Sequence, residues 1–171
     1  MKRTLALLLA VLLLTAFAGC ASNSLKKPVT ELEFWIGENV DGVDFSEYRE
    51  KPGIMGGREY YGRGYAPEKA ENGEETEPKE CVLYTVTSYP DYSSKAQHVT
   101  RIVITDPSVG VYGLKLGSPA DEIGTVMKKN GFKLNDNADP NSFVKGKFTI
   151  RFSNESIVLS VEVSNRNGIV F

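Results

Sequence analysis

The stretch that decides the fold runs from Ser118 to Phe132 and reads SPADEIGTVMKKNGF. Ser118 is a good N-cap residue, and Pro119 suits the first helical position, where its missing N–H costs nothing. The Asn–Gly pair at 130–131 is typical of a left-handed C-cap, after which Phe132 can pack back. Apolar residues recur at helical spacing in a narrow stripe: Ile123, Val126 and Met127. This pattern predicts one helix over about 119–130.

Alternating apolar and polar residues on both sides of this helix predict strands. Before it, segments 81–89 and 98–105 alternate and form an antiparallel hairpin. After it, segments 147–152 and 157–163 alternate, and the short polar run between them forms a hairpin loop.

Two further segments are read less directly. Residues 58–61 predict one short strand in a glycine-rich region, and residues 135–142 read as a polar loop. The segment from Thr30 to Ile36 fits a capping box, but its apolar and aromatic alternation favours a strand. We therefore expect an α+β fold, a mostly antiparallel sheet of about five or six strands with one helix packed on it.

The N-terminal residues have the layout of an export signal. They read MKRTLALLLAVLLLTAFAGC, with Lys2 and Arg3 before an apolar run that is too short to span a bilayer. The run ends in Phe17-Ala-Gly-Cys20, which resembles the lipobox of bacterial lipoproteins. The resemblance implies cleavage between Gly19 and Cys20 and a thioether-linked diacylglycerol on Cys20. The alternative is an ordinary secretory signal.

This resemblance implies three regions and a location. Residues 1–19 are expected to be a signal peptide that starts as a helix, 20–28 a tether, and 29–171 a single domain. Within that domain, the highly charged segment 68–80 is expected to be a mobile acidic loop. The chain is expected to be lipid-anchored at the bacterial cell membrane, facing outside the cytoplasm, and outer-membrane sorting stays open.

The charge balance excludes one class of partner. The chain has 20 basic and 22 acidic residues, and a nucleic-acid-binding protein normally has a clear basic excess. Removal of Lys2 and Arg3 with the leader leaves 18 basic and 22 acidic residues, a net charge of −4. A mildly acidic body does not favour binding to an anionic leaflet.

A second resemblance covers residues 111–163. The run YGLKLGSPADEI from Tyr112, with Asn-Gly-Phe132 and a hairpin after it, resembles small bacterial envelope lipoprotein domains. The SmpA/OmlA assembly lipoproteins and the β-lactamase-inhibitor-like domains are examples. The resemblance implies a protein-binding adaptor and not an enzyme, and the N-terminal half around Trp35 departs from the pattern.

Catalytic and metal-binding patterns are weak in this sequence. The single histidine, His98, lies far along the predicted hairpin from Cys81, and no nucleophile elbow is present. The oxygen-bearing run from Asn135 to Asn141 lacks the glycine and the bidentate glutamate of a calcium loop. We therefore expect no enzyme activity, no catalytic residue, no metal and no cofactor.

Aromatic residues supply the remaining candidate site. Trp35, Tyr60, Tyr61 and Tyr65 could form a recognition face, or they could pack half-buried on the sheet. We expect the domain to bind an envelope protein or a cell-wall component. The alternatives are a small envelope hydrolase or a solute-binding protein.

Overall fold

The fold is that of a computed structural model. It describes seven segments of the chain: 25–28, 31–48, 50–52, 58–62, 81–88, 96–135 and 141–162. The expected signal peptide 1–19, its cleavage site at Gly19 and Cys20, and the acidic loop 68–80 lie outside these described residues.

The described residues form an α+β fold that is mostly sheet. Eight strands make one antiparallel sheet, and six of them are four or more residues long, which agrees with the five or six expected. The strands are β1 (Glu50–Pro52), β2 (Arg58–Tyr61), β3 (Val82–Ser88), β4 (Gln97–Ile104), β5 (Lys133–Leu134), β6 (Ser142–Lys145), β7 (Phe148–Phe152) and β8 (Ile157–Val161).

The sheet consists of two four-stranded meanders placed side by side. Its order is β1-β2-β3-β4-β8-β7-β6-β5, so every strand within a meander pairs with its neighbour in sequence. The two meanders join where β4 pairs with β8, with Ile102 opposite Leu159. This arrangement leaves β1 and β5 as the two edges of the sheet.

One face of the sheet forms the core. Alternate residues of the central strands point to this face, and Ile102, Ile150 and Leu159 are completely buried there. Several intervening residues, such as Arg101 and Thr149, lie on the opposite face and remain at least partly exposed. The helix and the segment 31–40 contribute buried residues to the same core.

The helix α1 (Ala120–Lys129) lies close to the predicted limits. Its core face is formed by Ile123 and Met127, which are buried, while Val126 is only half-buried against the core. No described helix has the length and the apolar content needed to cross a bilayer.

The two ends of α1 differ in how well the sequence predicted them. Pro119 occupies the N-cap, and the Ser118 hydroxyl accepts a hydrogen bond from the Lys115 N–H at 3.0 Å. The prediction of Ser118 as N-cap was therefore wrong, because its side chain closes the preceding turn. The C-cap is confirmed, because Gly131 has φ +80° and the Phe132 N–H donates to the Met127 carbonyl at 3.0 Å.

The segment before β1 is not the predicted strand. Residues 31–40 form turns with an isolated bridge between Asn39 and His98. The buried residues Leu32, Trp35 and Ile36 follow helical spacing and not alternation. The Glu38 carboxylate accepts a hydrogen bond from the Trp35 N–H at 2.7 Å, which stabilises a turn and competes with strand pairing.

The predicted strands are confirmed with small changes at their ends. The segments expected at 58–61, 81–89, 98–105, 147–152 and 157–163 correspond to β2, β3, β4, β7 and β8. Three short strands were missed: β1, β5 and β6. Of these, β6 begins at Ser142, the last residue of the polar loop that the sequence predicts over 135–142.

The folded part of the chain includes the end of the expected tether. Leu25 is 8% exposed and belongs to the core cluster. Lys26 and Lys27, which follow it, are exposed. Packed structure is therefore present several residues before position 29, where the domain was expected to begin.

Candidate functional site

An apolar groove lies between α1 and the edge strand β5, and we name it the α1–β5 groove. Its cavity volume is about 460 Å³. The residues that line it come from the helix, from β5 and from β6 and the chain just before it: Ala120, Gly124, Lys128, Phe132, Lys133, Leu134, Asn141 and Phe143.

The helix wall of the groove contains two small residues, Ala120 and Gly124. Ala120, Gly124 and Lys128 recur every four residues and therefore lie along one face of α1. A Cβ atom added at Gly124 would meet no heavy atom within 4 Å. Glycine inside a helix lowers its stability relative to alanine. Here the glycine lies where the space above the helix is open.

The sheet wall of the groove exposes an apolar side chain. Leu134 pairs with Phe143 in the β5–β6 register, so both point to the same face of the sheet. Phe143 is buried, whereas Leu134 is 48% exposed and is one of the two exposed large apolar residues of the described chain, the other being Val43 at 38%. Because β5 is the last strand in the sheet order, its outer backbone edge faces away from β6.

The rim of the groove is positively charged. Lys128 and Lys133 are both exposed and line it. No carboxylate of the described chain is among the lining residues. The groove is thus suited to an occupant that combines apolar and acidic groups.

A second concave surface, which we name the lysine cleft, lies at the C-terminal end of α1. Its volume is about 770 Å³. Four exposed lysines line it, and they come from three separate parts of the chain: Lys26, Lys27, Lys129 and Lys145. The other lining residues are Pro28, Tyr112, Val126, Asn130 and Gly131.

Two of these lysines are held by backbone carbonyls. Lys145 Nζ donates to the Asn130 carbonyl oxygen at 2.9 Å and lies 5.6 Å from the centroid of the Phe132 ring. Lys27 Nζ donates to the Glu33 carbonyl oxygen at 2.8 Å. An ammonium group has three donors, so each lysine retains further donors for a ligand.

Tyr112 supplies an aromatic wall to the lysine cleft. It is the one described non-glycine residue with a positive φ, +54°, and with Gly113 at φ +84° it forms a two-residue turn between Val111 and Leu114. Its ring contacts Trp35 and Phe132 edge-on, with centroids 6.2 and 6.0 Å away. Partial burial raises the pKa of the Tyr112 hydroxyl.

The described aromatic residues proposed from the sequence line neither the α1–β5 groove nor the lysine cleft. Trp35 is 2% exposed and Tyr60 is 4% exposed, and the Tyr60 ring stacks on Phe45 with centroids 4.2 Å apart. Both rings therefore pack in the core, more deeply than the half-buried packing on the sheet that the sequence offers as the alternative. For Tyr61 the backbone lies in β2, and Tyr65 is outside the described residues.

Cys81 and His98 lie at opposite ends of the β3–β4 hairpin. The Thr105 N–H donates to the Cys81 carbonyl at 2.9 Å, whereas His98 is opposite Thr87. Seven residues of strand separate the two positions, a distance of roughly 20 Å. The fold does not bring this thiol and this imidazole together.

Acidic side chains of the described chain accept backbone hydrogen bonds, both within a local turn and between distant segments. Asp41 Oδ1 accepts a hydrogen bond from the Gln97 N–H at 2.6 Å, and Asp44 Oδ1 accepts one from the Ser46 N–H at 2.9 Å. Hydrogen bonds from the backbone and from the side chain of Ser46 lower the pKa of Asp44. No group of three or more His, Cys, Asp or Glu side chains converges in the part of the chain that the structure describes.

Sequence reasoning missed both concave surfaces. A glycine inside an otherwise regular helix pattern, at Gly124, was a signal for the groove. The lysine pairs at 26–27 and 128–129 were signals for the cleft, but only the fold brings them to the same end of the molecule. Comparison of the chain with family models, curated proteins and solved structures finds no match.

Proposed function

We propose that the protein is a lipid-anchored bacterial lipoprotein whose domain binds a segment of another envelope protein in the α1–β5 groove. In this proposal the leader 1–19, helical before it is removed, is cut after Gly19, and diacylglycerol on Cys20 holds the chain at the membrane, outside the cytoplasm. The observation that carries the binding role is Leu134, a leucine left 48% exposed beside an open apolar groove.

The lining of the groove favours a protein segment over a polysaccharide. Gly124, Leu134 and Phe143 offer apolar surface, which suits side chains such as Leu, Val or Phe. The exposed ammonium groups of Lys128 and Lys133 favour acidic residues beside those side chains. The outer edge of β5 could also pair with an extended partner strand.

Site-specific photocrosslinking in native cells tests this binding role. A benzophenone amino acid replaces Leu134, which lies in the groove, or Val43, the other exposed large apolar residue. The expected result is a discrete crosslinked envelope protein from position 134 and not from position 43. The crosslinked peptide should contain apolar and acidic residues.

A second substitution separates groove binding from accidental proximity. Gly124→Leu places an apolar side chain on the helix wall of the groove, and its Cβ atom meets no heavy atom within 4 Å. This variant should lose the crosslink from position 134, whereas Thr125→Leu, on an exposed neighbouring position, should keep it. Crosslinks that persist in the Gly124→Leu variant would contradict the proposed binding mode.

A further inference from the structure

Positive charge is concentrated at one end of a molecule whose overall charge is negative. The chain from position 20 onward has a net charge of −4. Nevertheless, six exposed lysines line the lysine cleft and the α1–β5 groove, and each lining includes a lysine of the last turn of α1: Lys26, Lys27, Lys128, Lys129, Lys133 and Lys145. Net charge alone therefore does not describe the charge of these two linings.

The lysine cleft itself is suited to anionic groups. Four of these lysines line it, and no carboxylate of the described residues is among its lining. The acidic residues of α1, Asp121 and Glu122, are in the first turn, at the other end of the helix. Tyr112 adds a half-buried ring with a polar hydroxyl, the kind of side chain that is favoured at a membrane–water interface.

The position of the cleft along the chain relates it to the anchor. Leu25 is buried, so the chain is fixed to the domain at this residue, next to Lys26 and Lys27. Leu25 is five positions after Cys20, and five residue steps span at most about 18 Å when fully extended. A lipid on Cys20 therefore keeps this end of the domain close to the bilayer.

We propose that the lysine cleft is a docking surface for the anionic phospholipid headgroups of the membrane that holds the anchor. The proposal rests on the proposed lipid anchor for its choice of a membrane as the partner. Docking fixes the orientation of the domain, with the lysine end facing the bilayer. The lysines then lie within one Debye length of the lipid phosphates, about 8 Å at physiological salt, so salt screens their attraction only partly. The earlier expectation from net charge, that an anionic leaflet is disfavoured, does not apply to this end.

Vesicle binding by the unlipidated mature chain tests the cleft without the anchor. The chain from position 20 with Cys20→Ser is sedimented with vesicles of phosphatidylcholine alone or with about 40% phosphatidylglycerol. We expect binding only to the anionic vesicles, and we expect it to be lost when salt is raised from about 0.05 M to about 0.5 M.

Two variants with the same change in net charge locate the binding surface. Lys26, Lys27, Lys129 and Lys145 are replaced by Gln in one variant, which should bind anionic vesicles at least about tenfold more weakly. In the control, Lys115, Lys147, Arg101 and Arg151 are replaced by Gln, and binding should change about threefold or less. All four control residues are exposed and do not line the cleft. Thermal unfolding of both variants shows that the fold is retained.

Several results would overturn the proposal. Equally weakened vesicle binding by both variants would mean that only the net charge of the protein matters. Equally strong binding to phosphatidylcholine vesicles would exclude headgroup charge as the cause of binding. Binding of soluble polyphosphate without binding of anionic vesicles would mean that the cleft recognises a free anion and not a membrane. Cys20 is replaced in every sample, so a lack of vesicle binding would not contradict the lipid anchor. Conversely, an unlipidated Cys20 in cells would not change the measured vesicle binding.

Discussion

Lys145, at the end of β6, donates a hydrogen bond of 2.9 Å to the carbonyl oxygen of Asn130, the C-cap of α1. The contact joins an edge hairpin of the sheet to the negative end of the helix dipole. It also fixes one wall of the lysine cleft, because Lys129, Asn130 and Lys145 all line it. The surface that we propose to face the membrane is thus built by the same bond that stabilises the helix end.

Removal of this ammonium group should destabilise the fold slightly. Lys145→Met retains an apolar stem over Phe132 but loses the bond to the Asn130 carbonyl and the favourable dipole interaction. We expect the free energy of unfolding to fall by about 1 kcal/mol, measured by urea denaturation. Lys115→Met, a change of the same type away from the helix end, should alter it by less than about 0.5 kcal/mol. Equal effects of the two changes would show that the bond contributes nothing.

Gly124 should be replaceable with a gain in stability. Gly124→Ala introduces a better helix former where the added Cβ meets nothing within 4 Å, so we expect unfolding to cost about 1 kcal/mol more. Gly131→Ala is the matched control, because its φ of +80° strains any residue with a Cβ, and it should lower stability by about 1 kcal/mol. Loss of stability in Gly124→Ala would mean that the space above the helix is occupied.

Trp35 should act as a core residue in mutagenesis. It is almost completely buried and contacts Tyr112 edge-on, so Trp35→Ala should lower the free energy of unfolding by about 3–5 kcal/mol. Leu134→Ala, at an exposed apolar position, should lower it by less than about 1 kcal/mol. A Trp35→Ala protein as stable as wild type would place this ring at the surface and revive the aromatic binding face.

Tyr84 should make the fold sensitive to alkali. Burial raises the pKa of Tyr84 to about 12, although backbone hydrogen bonds from Phe34 and Glu33 oppose the shift. An unfolded tyrosine ionises near pH 10, so the stability that its burial contributes is intact below pH 10 and is lost as pH rises toward 12.

Denaturation at pH 9, 10, 11 and 12 measures this effect. The wild type should lose on the order of 2 kcal/mol more than Tyr84→Phe over this range, because phenylalanine has no proton to lose. The change in the free energy of unfolding that Tyr84→Phe causes at neutral pH serves as the reference for the comparison. Parallel pH profiles of the two proteins would assign the alkaline sensitivity to another group.

The elements that sequence predicted well are those in which local pattern and packing agree. The alternation in β7 and β8 and the Asn130–Gly131 C-cap correspond directly to the structure. The segment around Trp35 was misread because three consecutive large apolar residues, Phe34 to Ile36, satisfy either a strand or a turn. There the Glu38 carboxylate accepts a hydrogen bond from the Trp35 N–H and stabilises a turn. The periodicity of apolar residues cannot reveal such a bond.

The candidate surfaces depended on long-range placement. β5 has only two residues, Lys133 and Leu134, and a strand so short has no periodicity of its own; it is defined by pairing with β6. The lysines of the cleft are separated by more than a hundred residues, from Lys26 to Lys145. Their proximity is a property of the topology, so composition and net charge could not reveal it.

The N-terminus of the protein purified from its native membrane tests the central claim most directly. Intact and peptide mass spectrometry should find that the mature chain begins at Cys20 and carries diacylglycerol on its sulfur, and that Cys20→Ala abolishes both the added mass and membrane retention. A mature chain that retains its leader, or that begins elsewhere with an unmodified Cys20 thiol, would contradict the lipid anchor.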